Sequence, residues 1–421
     1  MDGLEHLFRR ESGRLVAALV RVFGIHNLPL AEDVAQDALC SALEVWKFRG
    51  WPENPSAWLI AAAKRRAIDV LRRERTAKTF APEMGRLLES EWTLVPSVEE
   101  LFKYSALEDD GLRMMFSCCH PRLTEEARVG LILNILCGFG IDEVAAAFLS
   151  SRASVEKRLQ RAKRVLATSR RLFDLADADE VSLRLPTVQR ALYLLFNEGY
   201  HGAGAESVVR AELCQEAIRL TSLLLRHPRT SVPGSFALLA MMCLHAARLP
   251  GRVDGAGGLT PWFEQDRSLW DAALVEEGER LLDRSAQGDE LTQFHLEAAL
   301  ASVHARARTP ADTDWTRMVR LYDRLLELHP SPVVALNRAI AVAQAEGPEA
   351  GLRAIEAISE EDRQRLARYP FFPAALGEFE SRRGQLASAR AHFQSALELA
   401  RNPSERRHFE QRINALPEMK N

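Results

Sequence analysis

Several features that would assign this chain to a common functional class are missing. Its 421 residues include six cysteines but no C-x-x-C pair, and a chain this long does not need a disulfide scaffold. The cysteines are therefore expected to be buried thiols of a reducing compartment. No apolar signal region follows Met1, and the longest apolar stretch, residues 232–247, is too short and too interrupted to span a bilayer. These absences predict a cytoplasmic protein without a membrane partner.

Sequence motifs for catalysis are also missing. The chain has no phosphate-binding glycine loop, no nucleophile elbow and no metalloprotease motif. Cys118, Cys119 and His120 are adjacent, which is poor geometry for one zinc ion because zinc ligands come from spaced positions. The sequence therefore predicts a protein that is not an enzyme and that has no cofactor and no metal site.

The small net charge, −3, conceals an uneven distribution of charge along the chain. Residues 1–171 contain 26 lysines and arginines against 23 acids, whereas residues 172–421 contain 29 against 35. A polyanion responds to local clusters of charge, so the basic clusters of the first part are more informative than the total.

Helical periodicity runs through nearly the whole chain, and no alternating run is long enough to indicate a sheet. We therefore predict an all-α protein. Composition divides it into a first helical domain at 1–78, an acidic linker at 79–110, a second helical domain at 111–171 and a long C-terminal domain at 185–421. The linker stands out because it carries eight acids and only two bases.

A helix-turn-helix is predicted over residues 140–166, within GIDEVAAAFLSSRASVEKRLQRAKRVL. Asp142 is expected to cap a first short helix that turns Val144, Ala145 and Phe148 inward, and Ser151 is expected to cap the second helix. A buried stripe is predicted on the second helix. It consists of Val155, Leu159, Ala162 and Leu166.

The outer face of that second helix is strongly basic, since residues 151–171 hold eight bases and one acid. Such a helix fits the major groove, with Arg152, Ser154, Lys157 and Arg158 nearest the base edges. Bases further along the helix are better placed for phosphates, where they raise affinity without reading sequence. A plain solvated helix is the other interpretation, but the charge coincides here with two capping residues and the spacing of a helix-turn-helix.

A second signal lies in residues 48–78, FRGWPENPSAWLIAAAKRRAIDVLRRERTAK. Trp51 and Trp58 bracket a loop stiffened by Pro52 and Pro55, and the helix predicted from Ser56 carries seven bases. Aromatic rings stack on unpaired bases while cations follow the backbone, so this combination favours single-stranded DNA binding. Either tryptophan taken alone is as readily explained by core packing.

At these residues the chain resembles the extracytoplasmic-function sigma factors of bacterial RNA polymerase. The order of the motifs matches: AEDVAQDALCSALEVW (31–46), the Trp/Pro loop, WLIAAAKRRAIDVLRRER (58–75), an acidic linker, and a helix-turn-helix that ends RLQRAKRVL (158–166). The resemblance covers about residues 1–171. It implies two sigma-type helical domains that bind core RNA polymerase, through its beta-prime clamp and beta flap, and promoter DNA.

The resemblance also implies roles for individual residues. Contacts to polymerase are implied for Asp33, Gln36 and Asp37, which share one helical face. Contacts to the minus-ten element are implied for Trp51, Asn54, Trp58, Lys64, Arg65, Asp69 and Arg72. Contacts to the minus-thirty-five element are implied for Arg152, Ser154, Lys157, Arg158 and Arg161. The acidic linker is expected to thread a positively lined channel of the polymerase.

Beyond residue 171 the chain departs from the typical members, which end near the helix-turn-helix. LYLLFNEGYHG (192–202), EQDRSLWD (264–271) and LHPSPVVALNRAIAVA (328–343) resemble the subgroup with a fused tetratricopeptide-like extension. Gly347, Ala350 and Ala354 recur 37 residues later, a spacing near that of such repeats, and a generic stack of helical hairpins explains the pattern equally well. The resemblance implies that this domain regulates the protein, alone or with an unknown partner. The glycine-rich stretch at 252–258 is the expected point of control.

A second functional class remains open. A one-component regulator would join a helix-turn-helix to a helical effector-sensing domain and would bind duplex DNA without polymerase. The Trp/Pro loop and the acidic linker argue against it, because duplex binding requires neither of them.

Overall fold

The computed structural model describes residues 2–77, 104–148, 150–168, 178–201, 209–252, 260, 264–400 and 402–417, and every regular element in these ranges is helical. The all-α prediction is confirmed. Helices α1 to α10 span Asp2–Phe23, Leu28–Arg49, Pro55–Ala77, Tyr104–Cys118, Glu125–Leu131, Ile141–Ala147, Arg152–Ala167, Ala178–His201, Ala211–Arg226 and Pro233–Ala246. Helices α11 to α19 span Ala272–Ser285, Gln293–Arg306, Trp315–Leu328, Pro332–Glu346, Pro348–Glu356, Glu360–Leu366, Phe371–Arg382, Leu386–Glu398 and Pro403–Asn414.

Shorter turns connect some of these helices. A π-helical turn lies at Ile132–Leu136, and 3₁₀ turns lie at Ile25–Asn27, Leu249–Gly251, Arg267–Leu269 and Pro310–Asp312. The chain forms two compact units. The first comprises residues 1–195 and 226–230, and the second comprises residues 196–225 and 231–421. None of the described helices is long and apolar enough to cross a membrane.

The first three helices pack against one another around an apolar core. Each of them places small or branched residues on its inner face at helical spacing. The fully buried members include Leu15, Leu19, Val22, Val34, Ala38, Ala42, Leu59, Ala63 and Ala67. The buried residues of α1 and α2 thus recur at helical spacing.

The start of α3 is defined by Asn54. Its side-chain oxygen accepts a hydrogen bond from the backbone amide of Ala57 at 3.0 Å, which makes Asn54 the cap of the helix. Pro55 occupies the first helical position, where a proline costs no hydrogen bond. The helix therefore begins one residue before the predicted Ser56. The Ser56 hydroxyl donates to the fully buried carboxylate of Glu11 at 3.1 Å, which joins this end of α3 to α1.

Helix α1 also packs against α4 and the π-helical turn, so the predicted first and second helical domains lie in one compact unit. The contact is close at Gly13, where an added Cβ would lie 1.9 Å from the carbonyl oxygen of Leu136. The guanidinium of Arg21 meets the buried carboxylate of Asp110 at 3.3 Å. Because α4 begins at Tyr104, the last residues assigned to the acidic linker are helical, and Asp110 is stabilised inside the unit by Arg21.

The helix-turn-helix consists of α6 and α7. Ser151 caps α7 as predicted, because its hydroxyl accepts a hydrogen bond from the Ser154 amide at 3.3 Å. The buried stripe of α7 is confirmed in full. The cap predicted at Asp142 is wrong: α6 begins at Ile141, the Gly140 carbonyl accepts from Val144, and Asp142 lies inside the first turn. Its carboxylate is free to pair with Arg152.

Most helices of the second unit pack on a neighbour in the chain, from α10 with α11 to α18 with α19. In addition, α10 packs on α12, α14 on α16 and α15 on α17. The repeat seen in the sequence is partly explained. Gly347 and Gly384 both have positive φ, at 98° and 76°, and both precede a helix. Ala387 and Ala391, however, are exposed, and the buried alanines of α18 are Ala389 and Ala396. The repeated alanines therefore do not lie at a buried helix contact in the second copy.

Cysteine burial follows the prediction with one exception. Cys118, Cys119, Cys137, Cys214 and Cys243 are buried free thiols. Cys40 is exposed, because it lies on the solvent face of α2. Burial raises the pKa of Cys119 to about 12 and that of Cys118 well above its usual value, so both remain thiols at neutral pH.

Candidate nucleic-acid interface

An aromatic cluster fixes the loop between α2 and α3. The Trp46 ring is buried, and its centroid lies 5.7 Å from Phe8, 5.6 Å from Trp51 and 5.5 Å from Trp58. Trp58 is half-buried, whereas Trp51 is 56% exposed. The structure thus separates two tryptophans that the sequence treated alike. Trp58 packs into the aromatic cluster. Trp51 contacts the Trp46 ring, and more than half of its own surface is open to solvent.

The outer face of α3 carries the predicted minus-ten residues. Trp58, Arg65, Asp69 and Arg72 recur at intervals of seven, four and three residues, which places them on one side of the helix. Arg65, Asp69 and Arg72 are exposed, and Lys64 is half-buried at the side of the same face. We refer to the Trp51 ring and these four charged side chains together as the track. The seventh predicted minus-ten residue, Asn54, uses its side chain to cap the helix.

The predicted polymerase contacts lie on the solvent face of α2. Asp33, Gln36 and Asp37 are all exposed. Asp37 accepts a hydrogen bond from Arg66 of α3 at 2.9 Å, so this carboxylate also joins the two helices. Asp33 and Gln36 are exposed without such a cross-helix contact in the described structure. An exposed ion pair of this kind stabilises a fold by only about 0–1 kcal/mol.

Three of the five predicted minus-thirty-five residues follow one face of α7. Ser154, Lys157 and Arg161 are exposed, at the spacing of successive turns. Arg152 is exposed and pairs with Asp142 of α6. Arg158 is half-buried, and its guanidinium lies 5.9 Å from the centre of the Phe148 ring. Lys157 and Arg161 are therefore the cations most available to a phosphate or a base edge.

Two ion pairs hold the helix-turn-helix against the first helices. Lys163 of α7 contacts Glu32 of α2 at 2.6 Å, and both side chains are half-buried. Arg9 of α1 contacts Glu143 of α6 at 2.6 Å and lies 4.8 Å from the centre of the Phe139 ring. Lys163 is one of the eight basic residues at 151–171. Its position shows that part of this basic charge forms ion pairs within the protein.

Sequence reasoning missed two exposed apolar residues beside the loop. Phe48 is 83% exposed and Leu43 is 49% exposed, both on α2. Helical periodicity could have predicted their exposure, because neither residue lies at a buried position of α2.

Two segments with predicted roles fall mostly outside the residues that the structure describes. Residues 79–103 of the acidic linker and 253–258 of the glycine-rich stretch lie outside the described residues. Arg252 is described, and its guanidinium lies 3.9 Å from the centre of the buried Tyr200 ring. The role of the linker in a polymerase channel stays a prediction.

Comparison with known proteins agrees with this arrangement. Residues 7–77, which include most of α1 and all of α2 and α3, match the family Sigma-70 region 2. Residues 184–286 match a family of unknown function, DUF6596. Over 404 residues the chain is 36% identical to "Uncharacterized protein R00370" of Rhizobium meliloti (strain 1021), an alignment that covers 95% of this chain and 93% of that protein.

The chain belongs to one family with that rhizobial protein. Its first three helices form a sigma-70 region 2 domain, which supports a sigma-70 family factor with a part in transcription initiation. The resemblance found in the sequence is confirmed to that extent. The extracytoplasmic-function subgroup, the tetratricopeptide-like nature of the C-terminal helices and the contacts of single residues stay predictions.

Proposed function

We propose that this sigma-70 family protein is a sigma factor of the extracytoplasmic-function type, which binds core RNA polymerase and directs it to its own promoters. The observation that carries the proposal is the pairing, in one compact unit, of a sigma-70 region 2 domain with a capped helix-turn-helix. A regulator that binds only duplex DNA needs the second element but not the first. The protein contributes binding energy, and the chemistry belongs to the polymerase.

The minus-ten element is assigned to the loop and the outer face of α3. The exposed Trp51 ring offers a stacking surface for one unpaired base, and stacking on an aromatic ring contributes about 1–3 kcal/mol per base. Lys64, Arg65 and Arg72 accompany the backbone of the separated strand. Binding to the open strand in this way offsets part of the cost of opening the duplex.

The minus-thirty-five element is assigned to α7. Its first turn carries Arg152 and Ser154, and the next two turns present Lys157 and Arg161 on the same side. Arg158 is the fifth member of this set and is braced by the Phe148 ring. A helix of this charge and length fits the major groove and combines base contacts with phosphate contacts.

Polymerase binding is assigned to α2 and to the helix-turn-helix. Asp33, Gln36 and Asp37 would face the beta-prime clamp, and the helix-turn-helix would face the beta flap. Among these three residues, Asp33 and Gln36 are the cleaner targets for substitution, because a change at Asp37 also removes its ion pair with Arg66.

The polymerase contact is tested with Asp33→Arg/Gln36→Ala. Reversing the charge at the proposed contact is expected to weaken binding to core polymerase at least tenfold, since like charges across an interface are strongly unfavourable. Binding is measured by gradient co-sedimentation with sigma-free core enzyme. Asp289→Arg, an exposed change of equal charge in the second unit, is the control and is expected to bind normally. If the wild-type protein does not co-sediment, the one-component regulator replaces the sigma factor as the explanation.

DNA reading by α7 is tested with Lys157→Ala/Arg161→Ala. Holoenzyme affinity for a duplex promoter fragment selected by the wild-type protein is expected to fall at least tenfold. The slope of log affinity against log salt is expected to fall by roughly two, about one per lost phosphate contact. Fluorescence anisotropy over a salt series measures both quantities.

The matched control for this pair is Arg122→Ala/Arg229→Ala, which removes two exposed cations elsewhere in the first unit. Core-polymerase binding should be normal in both double variants. If the salt slope of Lys157→Ala/Arg161→Ala equalled that of the wild-type protein, α7 would not contact DNA phosphates through these residues.

The packed first unit is not the form that reads both promoter elements. Elements centred about 25 base pairs apart are separated by roughly 85 Å along B-DNA, at about 3.4 Å per base pair. A compact unit of about 200 residues has a radius of gyration near 16 Å. The contacts of α1 and α2 with the helix-turn-helix must therefore open when polymerase binds, and the Lys163–Glu32 pair must break.

A cleavable cross-link between α2 and α7 tests this opening. Glu32→Cys/Lys163→Cys, in a Cys40→Ser background, is joined with a bismaleimide that contains a cleavable disulfide. Promoter-directed transcription is expected to fall at least tenfold in the linked protein and to return when reductant cleaves the linker. The unlinked variant is the control. Full activity of the linked protein would show that the packed unit is itself the active form.

The second unit is assigned a regulatory role, as a tetratricopeptide-like extension. Truncation after Thr230 retains all of the first unit and removes helices α10 to α19. Transcription from a selected promoter, measured in vitro with core polymerase, is expected to change more than threefold relative to the full chain. Output equal to that of the full chain would contradict regulation by this unit.

A further inference from the structure

The second unit contains a cavity of about 560 Å³ that none of the assignments above uses. Its walls come from the 3₁₀ turn at Pro310–Asp312 and from α13, α14, α17, α18 and α19. This volume lies within the range of about 300–1,000 Å³ that is usual for sites that bind small molecules. The cavity belongs to the second unit alone, so its existence does not depend on how the protein meets polymerase.

The wall of the cavity is mainly apolar. Helix α17 contributes the longest side, with residues three or four positions apart from Phe371 to Arg382, which all lie on one face of the helix. Trp315 and Ile340 stand opposite, and the Trp315 ring is held at its edge by His304 at 5.6 Å. Phe393 closes one side because Gly377 lets α18 approach, with only 3.0 Å between its ring and an added Cβ.

The polar groups of the cavity leave one positive charge uncompensated. Glu378 is the single acid in the lining, and it pairs with Arg412. Burial and the charge of Arg412 lower the pKa of His408 to about 4, so this ring is neutral at physiological pH. Arg382 is exposed at the end of the α17 face and has no ion pair in the described structure.

We propose that this cavity binds a small organic acid, with its aromatic or aliphatic body against Trp315, Phe371 and Phe379 and its anionic group at Arg382. The apolar wall favours burial of a hydrocarbon body, and a cation at its rim favours one negative charge. An uncharged ligand would leave the rim charge unused, and a dianion would meet Glu378. The proposed occupant is a free small molecule rather than a protein segment, because the volume is that of one drug-sized ligand.

The proposal is tested on the full chain with two fluorescent probes of the same aromatic body. One is 8-anilinonaphthalene-1-sulfonate, which is anionic, and the other is N-phenyl-1-naphthylamine, which is neutral. Saturable binding of both probes is expected in the wild-type protein. Arg382→Glu is expected to lower the affinity for the anionic probe at least tenfold and the affinity for the neutral probe less than threefold. Ala374→Trp fills the cavity and is expected to remove the saturable binding of both.

Arg353→Glu provides the matched control, because Arg353 is exposed on α15 and lies outside the cavity. It is expected to bind both probes as the wild-type protein does. Circular dichroism and the thermal midpoint establish that each variant is folded. Should Ala374→Trp fail to fold, the comparison of the two probes on Arg382→Glu still decides, since that side chain is exposed and its replacement removes no packing.

Two results would overturn the proposal. If Arg382→Glu lost affinity for both probes equally, Arg382 would not be the site of the anionic group. If Ala374→Trp bound both probes as the wild-type protein does, the probes would not occupy this cavity. Competition identifies the occupant: displacement of the anionic probe by dodecanoate is expected, and displacement by an acetylated Trp-Glu-Phe-Glu peptide at lower concentration would assign the site to proteins instead. None of these outcomes depends on transcription, so the sigma-factor proposal can fail while this one stands.

Discussion

Helix α1 is the element on which the rest of the first unit depends, because one segment of it is buried on all sides. Residues 15–20, Leu-Val-Ala-Ala-Leu-Val, are each 4% exposed or less. A helix that is apolar all round must be enclosed by other elements, and here α2 and α3 cover one side while α4 and the π-helical turn cover another. Gly13 permits the close contact with Leu136, and the buried Glu11 is satisfied by Arg14 and Ser56. A carboxylate in such a place is tolerated only when it is paired and hydrogen-bonded.

This enclosure also positions the two surfaces for which DNA binding is proposed. The Trp51 loop is anchored through Trp46 and Phe8 to α1 and α2, and α7 is anchored through Lys163 to α2. Both surfaces thus rest on the same pair of helices while their outer faces stay in water. The interface between α1–α2 and the second helical domain combines the apolar packing of α1 against α4 and the π-helical turn with two half-buried ion pairs.

The second unit is organised differently. Most of its helices pack on helices close to them in the chain, so their apolar faces are buried locally. Stacking of this kind leaves a cavity where successive hairpins do not close completely, and α17 lines it with residues that alternate between the core and the open space. Phe379 belongs to both, since it is fully buried in the core cluster and also borders the cavity.

The sequence by itself determined the helical class, the capped helix-turn-helix and the family resemblance of the first domain. These are local properties: periodicity places Val155, Leu159, Ala162 and Leu166 on one face, and a serine before a basic helix caps it wherever that helix lies. The outer positions of α7 and α3 follow from the same periodicity. Local reasoning failed at Asp142, because the helix begins two residues earlier than a cap at Asp142 requires, and helix ends are set by tertiary contacts as much as by capping preference.

Only the tertiary structure decided which charges are available. Lys163, Asp37 and Asp110 look like solvated charges in the sequence, yet each pairs with a residue between 29 and 131 positions away. The same holds for the difference between Trp51 and Trp58, and for the single unpaired arginine at the rim of the α17 cavity. Pairs so distant in the chain leave no periodic signal, because the energy that brings them together comes from burial of the surrounding apolar surface and not from the residues themselves.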